Sequence, residues 1–469
     1  MGANPQAGDH SGGYSADWLV PRARGPVHAL VKLPGSKSMT NRALVLAALS
    51  GSRSTIVGPL VARDTQLMAA ALRALGWEID ESPGAWHVEH GARGDRRRAE
   101  IDVGNAGTVL RFLPAVAALT DMEVTFRGDR RVAERPVAPL LAALAKLGVQ
   151  ISYPTGGTFP FIVHGNGSVH GGAVTVDASS SSQLISGLLL SAPRFEIGSV
   201  VGHAGPPPPS LPHIEMTIAM LRACGVDAVA AEGSDPWPAQ MTDVATTSAD
   251  RAGTGGGQSL RYGWQVPPGP IVANEIFIEP DLSNAVPFLG AALATGGEVT
   301  VADWPADSLQ PAARIIEVLT AMGADVGLTP RGLRVSGSGR ISGIGADLSA
   351  VGELTPVLTA LAALASSPSE FTGIGHLRRH ESDRLAALAS EIGKLGGEVT
   401  ELADGLAIKP RPLRGDGVVF DSHDDHRLVM AAAVLGLVTS GLRVRNAATV
   451  GKTFPEFAAY WARTLAPTG

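Results

Sequence analysis

The stretch Gly35-Ser36-Lys37-Ser38-Met39-Thr40-Asn41-Arg42-Ala43-Leu44-Val45-Leu46-Ala47-Ala48-Leu49 sets the reading of the whole chain. Small polar residues open it and an apolar run follows, the pattern of a buried helix with a polar first turn. A β-like segment and a second helix come next, and the chain turns at Leu75-Gly76-Trp77 into another strand. This order of features recurs about six times. Polar openings stand at Gly104-Asn105-Ala106-Gly107-Thr108, Ser180-Ser181-Ser182-Gln183, Asp281-Leu282-Ser283-Asn284, Asp347-Leu348-Ser349 and His423-Asp424-Asp425-His426-Arg427. Helix-ending turns stand at Leu147-Gly148-Val149, Cys224-Gly225-Val226, Met322-Gly323-Ala324 and Leu395-Gly396-Gly397. A glycine just past a helix is a frequent left-handed stop. The helix starts offer free N–H groups and a positive dipole end, so several facing one cleft would form an anion site.

The spacing of these turns is roughly 75 residues, longer than the about 20–50 of solenoid repeats. The interval from Gly225 to Gly323 exceeds the others by about 25 residues. The excess falls in residues 231–262, which hold Pro236, Pro238 and a glycine run and read as an inserted loop. Three units precede it and three follow, which predicts an α/β chain of two domains with a cleft between them. A length of 469 residues agrees, being more than one core holds. Residues 1–26 are rich in Gly, Ser and Pro, lack an apolar targeting core and are expected to form a flexible tail.

Composition excludes several classes. A net charge of −6 argues against a nucleic-acid-binding protein. A single cysteine, Cys224, excludes an internal disulfide framework and reads as a packed thiol. No apolar run approaches the ~20 residues of a membrane span, so a cytoplasmic protein is expected.

Taken one at a time, the candidate functional residues allow ordinary readings. Lys37, Ser38 and Arg42 place two cations and a hydroxyl at a helix start, yet a solvated loop would look the same. Gly107 lies in a tight glycine turn that would admit a ligand. Arg135 precedes a proline-started helix and could be a surface residue. Ser181, Ser182 and Gln183 exceed what capping needs and suit a phosphorylated or polyhydroxylated ligand. Glu353, in apolar surroundings, is either a first-turn residue favoured by the dipole or a general base. Glu381 and Arg384, three apart, can share a helix face. His423 and His426 have the spacing of metal ligands but no third partner, so no metal is assigned.

Seven motifs in order change the weight of these pieces: Pro-Gly-Ser-Lys-Ser at 34–38, Asn-Ala-Gly-Thr at 105–108, Glu-Arg-Pro at 134–136, Ser-Ser-Gln at 181–183, Glu-Ser-Asp-Arg at 381–384, Asp-His-Arg at 425–427 and Gly-Lys-Thr-Phe-Pro at 451–455. From about Leu33 to Trp461 the chain resembles the 3-phosphoshikimate 1-carboxyvinyltransferase (EPSP synthase) family. The resemblance implies a two-domain inside-out α/β barrel of six βαβαββ units, three per domain. It places residues 36–276 in one domain and residues 27–35 with 277–469 in the other.

It further implies transfer of the enolpyruvyl group of phosphoenolpyruvate to the 5-hydroxyl of shikimate 3-phosphate, on the route to chorismate. No metal or organic cofactor and no macromolecular partner are implied, and a monomer is expected. By the same resemblance, shikimate 3-phosphate would meet Lys37, Ser38, Arg42, Ser181, Ser182, Gln183, Ser210, Glu353, His376 and His380. Phosphoenolpyruvate would meet Lys37, Gly107, Arg135, Gln183, Arg384, Arg427 and Lys452. Glu353 matches the acceptor of the hydroxyl proton, and Glu381, with Lys452 or His426 as alternatives, the acid at the methylene carbon. So many cations in one cleft should repel one another, so the domains of the empty enzyme are expected apart. The chain departs from the family pattern at Glu353 (commonly Asp), His376 (Asn), His380 (Lys), His213 (Tyr) and Phe112 (Pro). Glyphosate is expected to inhibit, because Gly107 is retained. An enolpyruvyl transferase acting on UDP-N-acetylglucosamine shares the fold but commonly uses a loop cysteine, and residues 127–137 contain none.

Overall fold

A computed structural model describes residues 17–91, 96–154, 156–232 and 260–466. Six small sheets surround two bundles of buried helices. In five sheets two parallel strands are followed by an antiparallel pair, as in the sheet of residues 98–102, 123–127, 161–164 and 150–152. Four of the parallel pairs, in the sheets of residues 98–102, 172–175, 345–347 and 419–421, are joined through a helix, as such crossovers require.

The first helix of each unit lies inside. These are Lys37–Leu49, Gly107–Ala118, Gln183–Ser191, Leu282–Thr295, Thr355–Ala363 and His426–Gly436. They are buried nearly all round, with every residue from Met39 to Leu49 and from Gly107 to Ala118 in the interior. The second helices, such as Arg63–Ala74 and Arg384–Lys394, bury one side. Helices inside and sheets outside make each half an inside-out α/β barrel. The five turn glycines named above all have positive φ, from +80° at Gly225 to +108° at Gly76, as left-handed helix stops require.

Two hydrophobic cores result. One is drawn from Met39 to Ala273, the other from Val20, Val27, Val31 and Leu33 together with Leu282 to Trp461. The halves exchange strands. His28–Val31 pairs in parallel with Glu298–Ala302 of the second half, and Glu275–Phe277 with Ser54–Val57 of the first. The two crossing segments are tied by Ser36 N to Glu279 O at 2.8 Å and Asp281 N to Pro34 O at 2.9 Å. A side chain on Gly35 would strike the Gly58 carbonyl, so only glycine fits this crossing.

Two sequence expectations need correction. Residues 1–26 are not all tail. Trp18–Leu19 pairs antiparallel with Arg443–Val444 and supplies the third strand of the sixth sheet, and Val20 is buried. The expected loop 231–262 is strand at both edges: Val229–Glu232 pairs antiparallel with Leu260–Val266. Residues 1–16 and 233–259 lie outside the described residues. No helix among the described residues is long and apolar enough to cross a membrane.

Candidate active site

Because strands and helices alternate with one handedness, all helix starts emerge on the same side, beyond the carboxyl ends of the parallel strands. In the structure all six units contribute to the cleft twice, through the start of the inner helix and through the segment before the outer one. The first unit gives Ser36–Ser38 and Asp64, the second Thr108 and Arg135, the third Ser181–Gln183 and Ser210. The fourth gives Asp281–Ser283 and Gln310, the fifth Glu353 and Arg384, the sixth Arg427 and Lys452. Apart from Asp64 and Lys452, these residues line one central pocket, together with His213, His376, His380, Glu381 and His426.

Local backbone bonds hold these groups in place. Ser36 caps the first inner helix through Met39 N at 3.4 Å. Asp281 joins the two halves, accepting from Asn284 N at 3.2 Å at its own helix start and from Lys37 N at 3.3 Å across the crossing. Asp425 caps the sixth inner helix through Arg427 N at 2.9 Å and accepts from Arg384 Nε at 2.8 Å and Nη2 at 3.2 Å. Ser210 has φ +55°, and its N–H donates to Ser349 O of the other half at 2.8 Å.

The cations are interleaved with carboxylates. Glu381 stands 2.9 Å from Arg384 Nη2, 3.2 Å from Lys452 Nζ and 3.8 Å from Arg135 Nη1. Asp64 stands 3.3 Å from Lys37 Nζ and 3.9 Å from Lys452 Nζ. These acids offset the repulsion expected among the cations where the halves meet across the cleft. Lys452 Nζ donates to Asn105 O at 3.0 Å, and Arg135 Nη1 to the same carbonyl at 2.8 Å. His213 Nε2 lies 3.9 Å from Glu353 Oε1.

Burial sets the protonation pattern. It raises the pKa of Glu353, against the opposing pull of Arg427 and Arg384. Glu381 goes the other way: burial would raise it, but Lys452, Arg135, Arg384 and His380 together hold the carboxyl well below its usual range. Burial lowers Lys37, with Lys452 and Arg427 adding and Asp64 and Glu381 opposing. Burial, then Arg42, pushes His213 down to about 3. Burial, then Arg384, pushes His376 down to about 4 and His380 well below the usual imidazole range. Burial with Lys37 and Arg427 does the same to His426. The pocket wall therefore carries neutral imidazoles at pH 7. His376 Nε2 and His426 Nδ1 are buried without a hydrogen-bond partner among the described residues.

Three of the expected site residues lie off the central pocket. Arg42 sits beneath its floor, 1 % exposed, with its guanidinium spent on Thr217 Oγ1 at 2.7 Å, Ser38 O at 3.0 Å and His213 O at 2.8 Å. There it braces Ser38 and His213. Gly107 lies behind Arg135, and Lys452 lines an adjoining cavity that shares Glu381 with the pocket. Asp64, Asp281, Ser283 and Gln310 were not singled out as ligand or catalytic candidates. Asp64 and Gln310 precede or begin outer helices, so reading both helix starts of each unit would have found them. No group of three or more His, Cys, Asp or Glu among the described residues is arranged to hold a metal ion.

The comparisons with known proteins agree with this architecture. The model of the EPSP synthase (3-phosphoshikimate 1-carboxyvinyltransferase) family matches residues 21–238 and 257–461. An EPSP synthase structure from Acinetobacter baumannii superposes with a TM-score of 0.73 at 24% identity, covering 95% of this chain and 97% of that one. The enolpyruvyl transferase NikO from Streptomyces tendae superposes with a TM-score of 0.70 at 14% identity, covering 96% and 97%. With the six-unit fold, the convergent helix starts and a family match over most of its length, the chain belongs to the EPSP synthase (3-phosphoshikimate 1-carboxyvinyltransferase) family of enolpyruvyl transferases.

Proposed function

We propose that the chain transfers the enolpyruvyl group of phosphoenolpyruvate to the 5-hydroxyl of shikimate 3-phosphate and releases phosphate. One observation carries this reading: a single pocket joins a half-buried carboxylate of raised pKa, Glu353, to the cations Lys37, Arg135, Arg384 and Arg427. The reaction needs a base for a hydroxyl and positive charge for two phosphates and two carboxylates.

Shikimate 3-phosphate fits the wall of Ser38, Ser181, Ser182, Gln183 and Ser210, with Lys37 at its phosphate and His376 and His380 beside it. Phosphoenolpyruvate fits the wall of Arg135, Arg384 and Arg427, backed by Lys452 from the adjoining cavity. Glu353 takes the hydroxyl proton while the oxygen attacks C2 of phosphoenolpyruvate. The methylene carbon receives a proton in the same addition. Glu381, held ionised by three cations, is a poor source of that proton, and neutral His426 has little more to give. The Lys37 ammonium, its pKa lowered by burial, is the better donor. The product of addition is a tetrahedral ketal. Its methyl group then returns a proton to the Lys37 amine, the bond to the phosphate oxygen breaks, and the departing phosphate, met by the cations, leaves with the proton that Glu353 took from the hydroxyl, so both groups are restored. Glu381 keeps Lys452 and Arg384 aimed at the site throughout.

Proton NMR of a mixture of enzyme, shikimate 3-phosphate and phosphoenolpyruvate tests the reading. New vinyl signals of an enolpyruvyl ether are expected. Unchanged substrates at high enzyme concentration would sink it.

A further inference from the structure

We propose that Glu391 is a positioning residue for the phosphoenolpyruvate side of the pocket, an inference that rests on the functional reading above. Glu391 lies two turns beyond Arg384 on the helix Arg384–Lys394, on the same face, and its side chain is 1% exposed. It borders neither the central pocket nor the adjoining cavity. A carboxylate buried this deeply, away from ligand, persists only where its acceptor sites are filled. Glu391 takes both oxygens to Lys394 Nζ at 2.7 Å, Oε1 to His423 Nε2 at 2.9 Å and Oε2 to Asp421 N at 2.9 Å.

What these bonds hold is a strained turn. His423 and Asp424 are consecutive non-glycine residues at φ +48° and +56°. Such backbone survives where the surroundings over-determine it. His423 N is tied to Asp421 Oδ1 at 2.8 Å and Asp425 N to Ser422 O at 2.8 Å. On the far side Asn446 holds the Asp424 carboxylate, and Thr449 Oγ1 donates to Asp424 O at 3.0 Å.

The turn delivers Asp425, which grips Arg384 and caps the helix at Arg427. Through Asn446 and Thr449 it also meets the short helix Ala447–Lys452, whose last residue is Lys452. Three cations of the phosphoenolpyruvate wall therefore hang on one turn. The helix Arg384–Lys394 is stapled to that turn at two points, Arg384 on Asp425 and Glu391 on His423. Removing the second staple frees the left-handed pair to relax and shifts Asp425. The acceptor wall of Ser181–Gln183 and Ser210 belongs to the other half and, among the described residues, makes no bond to the turn.

The test uses Glu391→Gln and, as a second route, His423→Asn, because Asn tolerates left-handed backbone and removes only the ring contact. Each variant is expected to raise KM for phosphoenolpyruvate about tenfold and leave KM for shikimate 3-phosphate within about twofold. Amide exchange at Asp425 and Arg427 is expected to quicken by about tenfold or more. Lowered thermal stability with both KM values and both amides unmoved would overturn the inference. A wild-type enzyme silent with both substrates would sink the functional reading instead. In that case the exchange measurement still decides, and unchanged exchange in both variants would end the positioning role.

Discussion

Arg384 and Asp425 form a buried, two-pronged ion pair, with Nε 2.8 Å from Oδ2 and Nη2 3.2 Å from Oδ1. Both side chains are nearly inaccessible, at 3% and 0% exposure. Breaking such a pair strips a buried guanidinium of its bidentate partner and leaves it only the ion pair with Glu381, which costs about 3–5 kcal/mol. Asp425→Ala is therefore expected to lose about that much stability, read by denaturant unfolding, and to weaken phosphoenolpyruvate use. A loss below about 1 kcal/mol would show that the pair contributes little.

Arg42→Lys should act on stability before it acts on chemistry. A lysine cannot span Thr217, Ser38 O and His213 O from one planar group. A loss of at least about 2 kcal/mol is expected from the unpaired buried acceptors. Normal unfolding with a selective rise in KM for shikimate 3-phosphate would instead return Arg42 to direct ligand contact.

At Gly107 an added Cβ would stand 2.6 Å from Arg135 Nη2 and 2.9 Å from Arg111 Nη1. The atoms in the way are the far ends of side chains, so Gly107→Ala should fold and displace Arg135. We expect KM for phosphoenolpyruvate to rise about tenfold, equivalent to about 1.4 kcal/mol, and unfolding to change little. Steady-state kinetics against each substrate checks this, and an unchanged KM for phosphoenolpyruvate would contradict it.

Much of this was legible in the sequence. The polar openings and glycine turns mark six units because each motif has a fixed backbone consequence. The structure gathers Arg135, Arg384, Arg427 and Glu353 around one pocket. Arg42 shows the limit: its charge is visible in the chain, but the four acceptors that absorb it come from Ser38 and from residues 186, 213 and 217, far along the sequence. Asp64 was hidden for a similar reason, as its partners Lys37 and Lys452 lie in different halves. The strand Trp18–Leu19 is too short to show a period of two, and only its pairing with Arg443–Val444 reveals it.

The pH profile follows from Glu353. Its pKa is raised by burial, so the acid limb of kcat/KM should fall above the ordinary glutamate value of about 4.3. The base works when ionised, so the rate drops as pH falls through that pKa, roughly tenfold per unit. His213 and His376, pushed down to about 3 and about 4, stay neutral there and add no limb near pH 6.5. A limb at the ordinary imidazole value that survives Glu353→Gln would assign the base elsewhere.

The most direct test of the account is phosphate release from phosphoenolpyruvate with shikimate 3-phosphate or UDP-N-acetylglucosamine as acceptor, for wild type and Glu353→Gln together. We predict release with shikimate 3-phosphate alone, and a loss of about 10²–10⁴-fold in the variant. Release with the nucleotide sugar alone, or a variant as fast as wild type, would contradict it.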